Sequence, residues 1–143
     1  MKYTLEIEIN LPRKKVVELM DDPDNLSEWQ PGFVSFEPLK GKPGEEGSSA
    51  NFIYRIGKRD IQMTETITRR NLPDEFKATY ETKDVFNIIH NRFIDEGSTT
   101  RWIAINEFHF KGLMRLYAFL MPGALRRQSR KIMMNFKEFA EGG

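Results

Sequence analysis

Glu65 is the side chain with the best claim to chemistry in this sequence. In "RDIQMTETITRR" it runs in phase with Ile61, Met63 and Ile67, against Gln62, Thr64, Thr66 and Thr68. A strand over about 60 to 69 therefore turns the carboxylate toward its apolar side. A carboxylate so placed must be protonated, paired or wet. With its pKa raised it can act as a general acid or base. The two histidines offer less: His90 and His109 fall on the outward parity of their strands, with no hydroxyl or carboxylate spaced for a triad. They form neither HxH nor HExxH, so no metal site and no cofactor are expected.

The same parity selects other inward groups. On about 85 to 94, Asn87 and Asn91 align with Val85, Ile89 and Phe93; on 99 to 110, Trp102, Asn106 and Phe108 align with Ala104 and Phe110. On 49 to 57 the inward set is Phe52, Tyr54 and Ile56, and on 75 to 82 it is Phe76, Ala78 and Tyr80. The expected lining is apolar and aromatic, with Glu65, Asn87, Asn91, Asn106, Tyr54 and Tyr80 as its few polar groups. Small-molecule pockets have this composition. The same residues could also fill a closed core.

Positioning them requires seven strands and a covering helix. Residues 3 to 9 alternate Tyr3, Leu5, Ile7 and Ile9 with polar partners. "NLPRKKVVELMDD" carries helix start signals and places Val16, Leu19 and Met20 on one face. Asp22 and Pro23 open a second short helix that holds Leu26 and Trp29 and stops at Pro31-Gly32. Six strands follow, at about 33 to 40, 49 to 57, 60 to 69, 75 to 82, 85 to 94 and 99 to 110. Their links are too short for parallel crossovers, so neighbours are antiparallel.

The last third is helical. Over 124 to 141, Leu125, Ile132, Phe136 and Phe139 share one sector and Arg126, Arg127, Arg130 and Lys131 the opposite one. The segment 113 to 121, including Leu116 and Leu120, is apolar all round except for Arg115, and Pro122 should kink or break the helix after it. That segment could gate a cavity mouth, form a dimer contact or touch a membrane. The basic run "RRQSRK" reads as the solvated face of the last helix.

Bulk properties narrow the function classes. A chain of 143 residues reads as a single domain, 1–143, large enough for a full core. Lys+Arg 22 against Asp+Glu 21 leaves a net charge of +1, so no field draws it to nucleic acid. The absence of cysteine removes disulfides and thiolate chemistry and agrees with a cytoplasmic location. The alternating start presents no signal-peptide h-region, and no apolar stretch is long enough to span a bilayer.

The element order, with "IEINLPRKKVVELMDDPDNLSEWQPG", "TETITRRNLPDEF" and "STTRWIAINEFHFKGLM", resembles the START-like, or SRPBCC, superfamily, in its polyketide cyclase/dehydrase branch. The resemblance implies an α+β helix-grip fold: a curved seven-stranded antiparallel sheet wrapped around a long C-terminal helix, with two short helices after the first strand. It implies an internal cavity for a hydrophobic or amphipathic molecule of lipid, sterol or polyketide type, and it transfers no invariant catalytic residue to this chain. The expected contacts are Tyr54, Met63, Glu65, Tyr80, Asn87, Asn91, Trp102, Asn106 and Phe108 from the sheet, and Leu116, Leu120 and Phe136 from the helices. Binding without chemistry is the first reading. A cyclase or dehydrase using Glu65 is the second, and a membrane-surface module the third, with the protein a monomer or homodimer.

Overall fold

The alternation read at residues 3 to 9 comes out as β1 (Lys2–Ile9), with Leu5, Ile7 and Ile9 buried and their neighbours in solvent. The computed structural model describes residues 1 to 142. After β1 come α1 (Arg13–Asp21) and α2 (Leu26–Trp29), joined by a short 3-10 turn whose start is capped by Asp22 Oδ1 accepting from Asp24 N at 2.9 Å. Then follow β2 (Phe33–Lys40), β3 (Ser49–Ile56), β4 (Arg59–Asn71), β5 (Glu75–Glu81), β6 (Val85–Asp95) and β7 (Thr100–Phe110). Two helices close the chain, α3 (Leu113–Leu120) and α4 (Pro122–Ala140). Pro122 occupies the first turn of α4, where a missing N–H costs nothing, and the helix is broken there as expected.

All seven strands form one antiparallel sheet in the order β1-β7-β6-β5-β4-β3-β2. A flat sheet of that width would hold its edges roughly 29 Å apart at about 4.8 Å per strand. Leu5 and Ile7 of β1 nevertheless share one hydrophobic cluster with Phe33 and Phe36 of β2. The sheet is therefore curled, and the chain adopts the α+β helix-grip arrangement. Phe136 of α4 sits at the centre of the cluster, fully buried, with Trp29 at 5.1 Å and Trp102 at 5.6 Å, both edge-on.

One irregularity redirects a side chain. Register along β4 and β5 slips between Ile67 and Arg69, a β-bulge that takes up Thr68. Beyond it Arg70, rather than Arg69, pairs in register with Phe76. Arg70 then reaches Asp21 at the end of α1 with both guanidinium nitrogens, at 2.8 and 2.6 Å. That fork ties the short helices to the middle of the sheet.

Candidate functional site

The register places Ala50, Glu65, Tyr80, Asn87 and Phe108 in one row across β3 to β7, on the face that turns toward α4. Tyr54 lies on the same face of β3, opposite Ile61, and Met63 lies opposite Phe52. In the neighbouring rows are Asn106, opposite Ile89, and Asn91, opposite Ala104. Alternation alone was enough to find these positions, because the strands are regular where they occur.

Coverage of this face is uneven. α4 is tethered over β1: Tyr3 Oη bonds Ser129 Oγ at 2.6 Å and donates to the Leu125 carbonyl at 3.1 Å, and Lys137 reaches the Glu8 carbonyl at 2.7 Å. Its main backbone approaches are to β1, α1, α2 and α3. Accordingly Leu5, Ile7, Trp102, Ala104 and Asn106, under the helix, are buried. Tyr54, Ile61, Met63, Glu65, Phe76, Tyr80 and Ile89, further across, keep part of their surface open. The molecule exposes 8833 Å², against about 7,700 Å² expected for a compact monomer of 16.8 kDa. The outward-facing apolar side chains of α3 contribute to the excess. Two surface depressions lie elsewhere, about 560 Å³ between the start of α1 and Leu72-Pro73, and about 410 Å³ beside Arg115, Leu116 and Phe119. Neither includes the polar row.

Within this half-buried group, Tyr80 Oη donates to Glu65 Oε2 at 2.8 Å, while Oε1 makes no hydrogen bond among the described residues. Burial raises the Glu65 pKa above the usual carboxylate value, and the Tyr80 hydrogen bond offsets part of that rise. Burial, then the Glu65 charge and hydrogen bond, push Tyr80 well up. Burial and the Glu65 charge do the same to Tyr54, whose hydroxyl donates to Gln30 Oε1 at 2.6 Å. Both phenols thus stay neutral donors, beside a carboxyl that accepts a proton more readily than a surface one.

The remaining polar residues are engaged differently. Asn87 donates to the Glu107 carbonyl at 3.0 Å, and Asn91 Oδ1 accepts from the Trp102 indole at 2.9 Å. Asn106 makes only a long 3.5 Å contact with the Ala104 carbonyl. Three expected contacts do not join this group. Phe136 presents no surface to it, being enclosed by Trp29, Trp102 and Phe139. Leu116 and Leu120 stand on the outside of α3, 54% and 63% exposed. Helical periodicity shows which side of a helix is apolar, but not whether that side meets a wall, a core or solvent.

Sequence reasoning missed Gln30 and Arg70. Gln30 follows Trp29 at the end of α2, and no local pattern marks it as the partner of a tyrosine on β3. Trp29 itself is buried, as a core anchor should be, yet its indole N–H has no partner among the described residues. His90 and His109 lie on the outer face, His90 at 3.7 Å from Glu75 and His109 at 2.7 Å from Glu107. Among the described residues no group of three or more His, Asp or Glu side chains could hold a metal ion.

The Glu65 environment makes a prediction about stability. Its folded pKa is raised, so the cost of ionising it is absent below the ordinary carboxylate pKa and grows as pH rises through the folded value. Glu65→Gln removes that cost and can keep the Tyr80 contact. The variant is expected to melt roughly 2–4 °C above the wild type near pH 8 and level with it near pH 4, on the scale of a typical single-site change. Thermal melts of both proteins across pH check this; a variant less stable at every pH would mean that Glu65 is an ionised anchor.

Comparison with known proteins gives concordant results. The profile of the family described as polyketide cyclase / dehydrase and lipid transport matches residues 1–141. No curated protein matches the sequence. Among solved structures, a conserved protein from Geobacillus kaustophilus is similar at a TM-score of 0.82 and 16% identity, over 99% of this chain and 95% of that one. An aromatase/cyclase from a Streptomyces species is similar at 0.78 and 11%, over 99% and 93%. Norcoclaurine synthase from Thalictrum flavum is similar at 0.74 and 12%, over 100% and 94%. At these identities the likeness is one of fold.

Proposed function

Because the chain belongs to the polyketide cyclase / dehydrase and lipid transport family, we propose that it binds a hydrophobic or amphipathic small molecule in a trough between α4 and strands β3 to β6. The observation that carries this reading is the half-buried apolar face around Met63, Phe76 and Tyr80, with Glu65 Oε1 unengaged beside Tyr80 in the middle of it. Such a surface favours a ligand that buries an apolar body against Met63, Ile61 and Phe76 and offers one polar group to Glu65. Tyr54 and Gln30 border the α2 end, so their hydrogen bond is placed to sense or limit occupancy.

Native mass spectrometry of protein purified from cells, followed by organic extraction, tests the reading. A stoichiometric apolar passenger is expected, and Met63→Glu should lower its occupancy at least roughly tenfold by setting an unpaired charge on the wall. Protein that emerges empty, and is not thermally stabilised by lipids, sterols or aromatic polyketides, would count against it.

A second reading has one observation in its favour. A carboxyl with a raised pKa, hydrogen-bonded to a neutral tyrosine inside an apolar wall, suits proton transfer in a ring closure or dehydration. Glu65 would take a proton from carbon beside a carbonyl, and Tyr80, turning its hydroxyl from Glu65 to the substrate, would donate to the carbonyl oxygen. Glu65→Gln separates the two readings once a ligand is in hand: turnover lost with affinity kept means chemistry, whereas affinity lost alone means binding.

A further inference from the structure

α3 carries its apolar residues on the outside. Leu113 is 83% exposed, Phe119 80%, Leu120 63% and Leu116 54%, while Ala118 is the residue the helix buries. Leu113, Leu116, Tyr117 and Leu120 follow the spacing of a single helical stripe, and Phe119 and Met121 widen it. An apolar patch of this size on a soluble fold usually marks an interaction surface.

The charges near it are segregated. From Lys111 to Lys137 the chain has seven cations and none of its 21 acids, so the other residues hold 15 cations against 21 acids. In a nearly neutral protein the segment that carries α3 and most of α4 is therefore strongly basic. Lys111 and Arg115 flank the start of α3. Arg126 and Arg127 follow in the first turns of α4, where Arg126 stands over the Tyr3 ring and Arg127 folds back beside Gly123 at the helix break. Arg130 and Lys131 continue the basic face in solvent. Lys137 is engaged by Glu141 and the Glu8 carbonyl, and Asp84 approaches the start of the segment at Gly112.

We propose that α3, with the cations around it, is a docking element for the surface of an anionic lipid bilayer. Its 8 residues are too few to cross a bilayer, and no helix among the described residues is long and apolar enough to do so. A short apolar helix rimmed by Lys and Arg instead lies in the interface, its side chains among the acyl chains and its cations at the headgroups. Charge decides the occupant. A second copy of this chain docked through the same patch would bring two basic segments together, whereas an anionic surface complements them. The inference is independent of what the trough holds, since it rests on residues outside the trough.

Co-sedimentation of the full chain with vesicles of phosphatidylcholine, alone or mixed with phosphatidylglycerol, is the test. Binding is expected to the mixed vesicles and to weaken at high salt as screening shortens. Leu113→Glu with Phe119→Glu should reduce the bound fraction at least roughly tenfold, and Arg115→Glu with Arg127→Glu by a similar factor. Both pairs change exposed side chains, so thermal melting checks that the fold is intact. Failure to bind mixed vesicles at low salt overturns the proposal, as does binding that survives both double variants or that is equal on the two kinds of vesicle. A dimer in sedimentation velocity that dissociates on Leu113→Glu with Phe119→Glu, without vesicle binding, would assign the patch to a second copy instead.

Discussion

Phe136→Ala is expected to remove about 3–5 kcal/mol of folding stability, roughly a fifth or more of what a typical domain possesses. The ring is fully buried and meets Trp29, Trp102 and Phe139 edge-on, at 5.1, 5.6 and 6.3 Å. Its loss leaves a void that rigid aromatic neighbours on three different elements cannot close. Urea unfolding followed by tryptophan fluorescence reads both consequences, because the two indoles that report the transition are the ones that lose their partner. A cost below about 1 kcal/mol would show that the site collapses easily and that the aromatic box is not the centre of the core. The same result would revive Phe136 as a wall of the ligand site, where truncation would enlarge the trough instead of weakening the fold.

Gly32→Ala is expected to cost roughly 2–4 kcal/mol, combining the left-handed backbone penalty with displacement of a strand. Gly32 has φ +80, and a Cβ there would lie 2.4 Å from the Arg55 carbonyl oxygen. That neighbour is backbone in β3 and cannot rotate away, so β2 and β3 must part or the turn must unwind. The Arg55 N–H donates to the Gly32 carbonyl at 2.7 Å, which makes the pair a fixed clasp between the end of α2 and the sheet. The clasp also holds Gln30 within reach of Tyr54. Faster hydrogen exchange at the Arg55 amide, together with the loss measured by denaturation, would show that the clasp has opened. A change under about 0.5 kcal/mol would mean that the turn shifts freely and that α2 is not pinned there.

Some of this was legible in the chain. The parity that puts Glu65 with Met63 and Ile67, and Asn87 with Ile89, is a property of successive residues in an extended backbone, so it survives folding wherever the strand is regular. It fails at Thr68, where the bulge shifts the phase and Arg70 instead of Arg69 comes into register with Phe76 and binds Asp21. Nothing local announces the bulge, and the partner that Arg70 meets beyond it lies on a helix nearly fifty residues earlier. The helices divide in the same way. Pro122 was enough to foresee the break between α3 and α4, since a proline lacks the N–H that a continuous helix needs.

The amino-acid sequence by itself determined the antiparallel pairing of successive strands from β2 to β7, the inward faces, the helix break and the apolar character of residues 113 to 121, all of which depend on short links or on neighbours within a few positions, whereas the pairing of β1 with β7 joins residues about a hundred apart. Only the tertiary structure decided where α4 lies. By resting on β1, where Tyr3 reaches Ser129 and the Leu125 carbonyl, it encloses Phe136, while Met63, Glu65 and Tyr80 across the sheet stay half-buried and α3 stands outward. The position of a helix across a sheet is set by contacts between residues more than a hundred apart, and no periodicity within either element encodes that choice.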